Sequence, residues 1–444
     1  MSISNWFFKY CIYYPVTLIR GEWIGSHLKG LEQSQYFSKE DIENLQLQRL
    51  NKLLAHAKAT VPHYANLPDL PFSSIEQLRE IPLLEKGFLR NNADQLYSRK
   101  SGFLTRYKTT GGSTGAPVTL RKDSVGMAHE LAATWRGYRW AGIDVGDKQA
   151  RFWGVPASKK GYLRAKLIDF IAHRKRLSAF AFSDKDLSRY YSQLKEFKPD
   201  YFYGYVSMIR QFSDYLEREI ECRDLQPKAI ITTAEVLTES DRRQIEKVFG
   251  CRVFNEYGCG EIGTIAHECE QGNLHVSSEN MVVEVLNEFG KGVKPGESGE
   301  IVVTDLVNFS MPLIRYRLKD YASVSSDGCP CGRSLPILLG VHGREYDMLM
   351  NSSGQKFHGE FFLYLVEDLK KKNVVVDHIQ FIQRGMNINV KIASRGEWGI
   401  DFFQRYFNEN LELYFDPAVK VNVEFVSEIA REPSGKFRAV IRES

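Results

Sequence analysis

No run in this sequence stays apolar for the roughly 20 residues that a helix needs to cross a bilayer. The nearest approach, NWFFKYCIYYPVTLI (5–19), is interrupted by Lys9 and Pro15. A transmembrane span is therefore excluded, and two readings of the aromatics remain. Phe7, Phe8, Tyr13 and Tyr14 either pack onto the protein or rest shallowly at a membrane surface. Cysteine is sparse and odd in number, seven in 444 residues, and no secretory signal is evident. That pattern excludes a disulfide scaffold and predicts reduced thiols in the cytoplasm, at most at the inner face of a membrane. Excess charge is missing too: a net charge of +4 over this length argues against a nucleic-acid partner. Internal repeats and low-complexity tracts are absent.

What is present is ordinary for a globular chain, with 43% hydrophobic and 26% charged residues. The length exceeds what one hydrophobic core supports, so at least two domains are expected. One local imbalance stands out. KKGYLRAKLIDFIAHRKRL (159–177) carries seven Lys or Arg against Asp169 alone. It reads either as a solvated helix face or as a landing site for a phosphorylated co-substrate or an anionic membrane.

Periodicity divides the chain. Ile42, Leu45, Leu50, Leu53, Leu54, Ala57 and Val61 form one helical stripe behind the capping residue Ser38. From about 186, helix-like and strand-like segments alternate with short polar joints, which predicts βαβ units and a largely parallel sheet. Between 274 and 324 the pattern turns to strands with tight turns, a β-rich subdomain extending to about 342. A turn-rich stretch at 343–359 then opens a compact α+β unit. The expected architecture is thus α/β, with domains at 1–342 and 343–444.

The segment KTTGGSTGAP (108–117) has the glycines and hydroxyls of a phosphate-holding loop, because backbone N–H groups can converge on oxygen where no Cβ intervenes. It lacks the GK[ST] ending of a P-loop. GCGEIG (258–263) matches a dinucleotide fingerprint, but the polar, aperiodic residues after it do not open a helix, so a Rossmann site is not expected.

Taken in order, YKTTGGSTGAP, TTAEVL, NEYGCGE, PLIRYRLKD and SGKFR resemble the core motifs of the adenylate-forming superfamily of acyl-CoA synthetases, adenylation domains and luciferases. The likeness runs from about residue 40 to the C-terminus. It is greatest to the phenylacetate-CoA ligase family and its CapK-type branch, which is associated with surface-polysaccharide gene clusters. The resemblance implies roles residue by residue. Thr109, Thr110, Gly111, Gly112, Ser113, Thr114 and Gly115 would wrap the ATP phosphates. Glu235 and Tyr257 would line the adenine pocket, Asp320 would hold the ribose, and Arg344 would sit near the same nucleotide. Glu261 would hold magnesium. Lys436, on a mobile C-terminal domain, would supply the cation that the loop lacks. An ammonium aimed at the α-phosphate would stabilise the charge that develops as a carboxylate attacks. Relatives often pair two aspartates at the hinge; here GREYD places Tyr346 at the first of them and Asp347 at the second.

Cys269, Cys329 and Cys331 with one histidine suit a closed tetrahedral zinc site. CapK-type relatives favour His275 as the fourth ligand, with His267 the alternative. The family's acyl pocket would fall between the helix after the phosphate loop and the YGY region, with Tyr138 and Tyr205 as its candidates. The activity implied is ATP-dependent activation of a carboxylic acid to an acyl-adenylate, with release of pyrophosphate. The acyl group would then pass to coenzyme A or, alternatively, to a carrier thiol or a sugar amine or hydroxyl. A non-catalytic nucleotide-binding scaffold at a membrane site of glycan assembly is the reading from another class. Homodimers would follow from family likeness alone.

Overall fold

The computed structural model describes residues 2–100, 104–110, 118–154, 159–178, 184–220, 224–342, 349–354, 378–393, 398–427 and 439–443, together with 356–357, 361–362, 365–366, 368–369, 374, 376 and 429. A hairpin of β1 (Arg106–Thr110) and β2 (Val118–Lys122) precedes the main sheet. Five parallel strands follow: β3 (Gln149–Trp153), β4 (Arg174–Ser178), β5 (Tyr201–Tyr205), β6 (Ala229–Thr233) and β7 (Arg252–Cys259). Then come β8 (Gly263–Glu268), β9 (Leu274–Val276), β10 (Met281–Leu286), β11 (Ser298–Asp305), β12 (Tyr316–Val324) and β13 (Ile337–His342), all in antiparallel pairings. Together they make one eleven-stranded sheet of order β10-β11-β12-β13-β9-β8-β7-β6-β5-β3-β4. The β-rich stretch therefore continues the parallel half instead of forming a sheet of its own.

Strands β5 and β6 are buried along their whole length, as expected when helices cover both faces. Tyr201, Tyr203, Ile231 and Phe254 pack with Ile24, Leu28 and Leu31 of the helix Ile24–Ser34 and with Ala132 and Trp135 of the helix Ser124–Trp140. The alternate residues Phe152, Phe202, Ile230 and Val253 pack with the helices Asp184–Phe197, Val206–Glu219 and Glu239–Phe249. Period-2 alternation thus serves two helical layers. The helix Lys39–Thr60, capped by the Ser38 hydroxyl on Asp41 N–H, joins the core of the antiparallel half.

Chain order reverses beside β3. The chain steps from β3 out to β4 and then returns past β3 to β5. Such a switch point opens a crevice at the strands' C-terminal ends, where open α/β sheets bind ligands.

After β14 (Leu349–Met350) and β15 (Lys356–Phe357), a second sheet is built from β16 (His378–Arg384), β17 (Asn387–Ala393), β18 (Lys420–Phe425) and β19 (Val440–Glu443), in the order β18-β17-β16-β19. Phe403, Phe407 and Leu411 of the helix Ile400–Tyr414 share its core with Phe381, Val390 and Val423.

Candidate active site and metal centre

Strand β7 carries Glu256 and Tyr257 in its second half, and its tight turn into β8 carries Glu261. Gly263 makes that turn possible. Its φ is +107°, and a Cβ there would lie 2.5 Å from the Glu130 side chain. The turn opens a strand and not a helix, so GCGEIG does not form a dinucleotide fingerprint.

The Tyr257 hydroxyl donates to Asp320 Oδ2 at 2.8 Å. Glu261 is buried; its Oε1 accepts from the Tyr316 hydroxyl at 3.4 Å and pairs with Lys86 Nζ at 3.0 Å. The carboxylate thus sits in a setting that already balances a positive charge. One protein carboxylate suits magnesium when phosphate oxygens and water complete the shell. Glu235 follows β6 in the chain. Its carboxylate accepts from the Ser207 N–H at 2.6 Å and the Ser207 hydroxyl at 2.8 Å, in the first turn of the helix Val206–Glu219.

A lysine–glutamate cluster beside the hairpin was not legible in the sequence. Lys108 on β1 reaches Glu130 Oε1 at 3.3 Å, and Lys122 on β2 pairs with Glu130 Oε2. Lys122 also donates to the Ile262 carbonyl at 2.7 Å, which ties the hairpin to the residue after Glu261. Burial would raise the Glu130 carboxyl, but Lys122 and Lys108 override it and hold the group at about 2. Thr109 and Thr110 lie on β1, with Thr110 paired to Val118. Gly111, Gly112, Ser113, Thr114 and Gly115 fall outside the described residues, as do Arg344, Tyr346, Asp347 and Lys436.

Aromatic side chains cluster beside β3. Trp153 stacks on Tyr205 with ring centroids 4.3 Å apart, and Tyr138 meets Tyr203 at 6.1 Å. Among them lie the half-buried Arg151 and the buried Glu256, of which the aromatic pattern gave no sign. The Arg151 guanidinium lies 4.7 Å from the Tyr203 ring centre, and the Tyr203 hydroxyl is 3.3 Å from Glu256 Oε1. Arg151 Nε and Glu256 Oε2 are buried with no hydrogen-bond partner among the described residues. Burial pushes the Glu256 carboxyl up to about 7, against the opposing pull of the Tyr203 hydroxyl and Arg151.

The cysteine motifs meet around β9, between β8 and β13. Ligand atoms of Cys269, His275, Cys329 and Cys331 all lie within 4.8 Å of one another. Cys269 Sγ and Cys329 Sγ are 3.7 Å apart. A tetrahedron with metal–sulfur bonds of about 2.3 Å has an edge of about 3.8 Å. Cys331 Sγ is 3.4 Å from His275 Nε2, while His275 Nδ1–H donates to the Leu335 carbonyl at 2.9 Å. That bond fixes the tautomer whose Nε2 lone pair faces the thiols. The Gln271 N–H and Asn273 Nδ2 donate to Cys269 and Cys329 sulfur at 3.4 and 3.1 Å. The donor set fits zinc with no open position. His267, the alternative ligand, is elsewhere: its ring packs over Gly137, where a Cβ would be 2.4 Å away. Its Nδ1 faces the Glu268 carbonyl at 3.1 Å.

Comparison with known proteins follows this geometry. Residues 349–443 match the CapK C-terminal domain family. Protein CapK of Staphylococcus aureus is 24% identical over 90% of this chain and 89% of its own length. The phenylacetate-coenzyme A ligase of Aromatoleum evansii is 27% identical over 72% of this chain and 74% of its own. Among solved structures, 2-hydroxyisobutyryl-CoA ligase in complex with 2-HIB-AMP and CoA superposes with a TM-score of 0.60 at 19% identity. The match covers 92% of this chain and 91% of that one. In sequence this chain is similar to Protein CapK and to phenylacetate-coenzyme A ligases, its residues 349–443 match the CapK C-terminal domain family, and its fold is that of 2-hydroxyisobutyryl-CoA ligase.

Proposed function

We propose that the protein activates a carboxylic acid with MgATP, releasing pyrophosphate and holding the acyl-adenylate for transfer to an acceptor. The observation that carries this reading is the Tyr257–Asp320 hydrogen bond close in the chain to the turn that carries Glu261. The hairpin whose strands flank the glycine-rich segment is tied to the same place through Lys122. Asp320 would accept from the ribose hydroxyls, with Tyr257 orienting its carboxylate. Glu261 would hold magnesium, which supplies charge neutralisation to the phosphates. Residues 343–444 would act as a separate domain that brings Lys436 to the α-phosphate. There the substrate carboxylate forms its bond to phosphorus as the bond to pyrophosphate breaks. The acid occupies the crevice of Tyr138, Tyr205, Arg151 and Glu256. An acid bearing a hydrogen-bond donor, such as a hydroxy or amino acid, would satisfy Glu256 Oε2 where a plain hydrocarbon would not.

Coenzyme A is the acceptor first expected, since the ligases similar in sequence carry it in their names. Transfer to a sugar amine or hydroxyl is the second reading, favoured by the match over most of the chain to Protein CapK. Acid-dependent exchange of labelled pyrophosphate into ATP, run over hydroxy, amino, aryl and fatty acids, tests the activity and its substrate class together. Exchange with a polar acid is expected. Exchange confined to unsubstituted fatty or aryl acids would refute the role given to Glu256.

A further inference from the structure

The N-terminal helical stretch is fastened to the protein along one side. Asn5 Nδ2 donates to the carboxylates of Asp147 and Asp200 at 2.8 and 2.9 Å, and Lys9 pairs with Asp144. The Phe8 ring stacks on His173 at 3.6 Å, and Trp135 Nε1 donates to the Tyr13 hydroxyl at 2.9 Å. Gly146, with φ at +93°, allows an approach so close that a Cβ would lie 2.2 Å from the Asn5 carbonyl oxygen. The packing reading of this segment therefore holds for two of its aromatics. Phe8 and Tyr13 pack inward, whereas Phe7 is exposed together with Ile3, Trp6, Tyr10, Leu18 and Ile19. Orientation is fixed by buried polar bonds, so these side chains cannot turn inward without breaking them.

The helix Lys159–Ile171 lies alongside, with Phe170 meeting Phe8 edge-on at 5.5 Å. Leu163, Leu167 and Phe170, spaced four and three residues apart, form one stripe, and the two leucines are 67% and 60% exposed. Within 159–177 the exposed charge has one sign. Asp169, the single acid in 159–177, is buried and paired with Arg174 at 2.8 Å and Arg176 at 2.9 Å. The exposed Arg164 and Lys166 and the half-buried Lys175 have no acidic partner within that stretch. Exposed hydrophobic side chains scattered singly need no explanation, but two adjoining helices that each carry several do.

We infer that this face seats the protein on an anionic bilayer surface. The aromatic and aliphatic side chains enter the headgroup layer, and Arg164, Lys166 and Lys175 meet lipid phosphates. Trp6 and Tyr10, with rings 5.5 Å apart, are of the type that settles at such an interface. Charge decides against a second copy of the chain, because pairing two such faces would bring two basic rims together. No described helix is long and apolar enough to span, so the contact is peripheral. This inference does not depend on the ligase reading.

The test is co-sedimentation of the full chain, at low salt, with vesicles of phosphatidylcholine alone and of phosphatidylcholine with phosphatidylglycerol. Binding at least about tenfold stronger to the anionic vesicles is expected. The Trp6→Ser/Phe7→Ser and Leu163→Ser/Leu167→Ser variants should each lose about tenfold, with unchanged melting temperature. Arg164→Glu/Lys166→Glu should lose the preference for anionic lipid. A wild-type protein that stays in the supernatant would overturn the proposal. So would variants that bind vesicles as well as wild type but no longer dimerise in sedimentation velocity.

Discussion

The Tyr257 hydroxyl and Asp320 Oδ2 lie 2.8 Å apart although their strands, β7 and β12, are separated in the sheet by β8, β9 and β13. Four steps of about 4.8 Å would place flat strands about 19 Å apart. The sheet therefore curls, and the antiparallel half carries Asp320 back over the ends of the parallel half. The Tyr257→Phe change removes one hydrogen bond to a carboxylate and should weaken ATP binding by about tenfold. Asp320→Ala removes the carboxylate itself and should cost about a hundredfold. Titration of each variant with ATP by calorimetry checks both, and equal affinity for Asp320→Ala would remove this residue from the nucleotide site.

Much of this architecture was legible because side-chain period reported it. YFYGY and AIITT became buried parallel strands, and HIQFIQR and NINVKIA became the paired strands of the second sheet. Strand β4 was hidden, since RKRLS owes its place to Arg174 and Arg176 pairing with Asp169 and not to an apolar pattern. The order of the motifs singled out Tyr257, Asp320 and Glu261 as candidates. It gave no hint of Lys86, Lys108, Lys122 or Glu130, which come from four separate elements and reach their partners only through the fold. The choice between His267 and His275 likewise turned on packing: the first ring is taken up by Gly137 and Glu268.

Glu256 makes stability depend on pH. Its carboxyl is raised from 4.5 to about 7 by burial, so the folded state binds the proton more tightly than the unfolded one. Its contribution is at full strength below 4.5 and is lost as pH rises through 7, by up to about 3 kcal/mol. Glu256→Gln should flatten that part of the curve and be relatively more stable at pH 8 than at pH 4. Urea unfolding at several pH values measures it; parallel curves for the two proteins would contradict the assignment.

The metal centre predicts one zinc per chain in protein purified without chelator. Cys331→Ala and His275→Ala should each lose the metal and melt roughly 5–10 °C lower, whereas His267→Ala should keep it. Elemental analysis with thermal melts distinguishes these. Retention of full zinc by His275→Ala would contradict the ligand set.

Lys436→Ala should lower the rate of adenylation by about a hundredfold or more while leaving ATP affinity nearly unchanged, because the charge it meets develops only in the transition state. Single-turnover rates and equilibrium binding on the same preparation separate the two. Adenylation at the wild-type rate would exclude the remote-lysine account.

The central claim is that a carboxylate oxygen attacks the α-phosphorus of ATP. It is tested most directly by supplying the accepted acid with oxygen-18 in its carboxyl group and trapping the product with hydroxylamine. Attack of hydroxylamine at the acyl carbon leaves the bridging oxygen on the nucleotide. The account predicts AMP carrying one heavy oxygen, with unlabelled pyrophosphate; heavy oxygen in inorganic phosphate, with ADP as the nucleotide product, would contradict it.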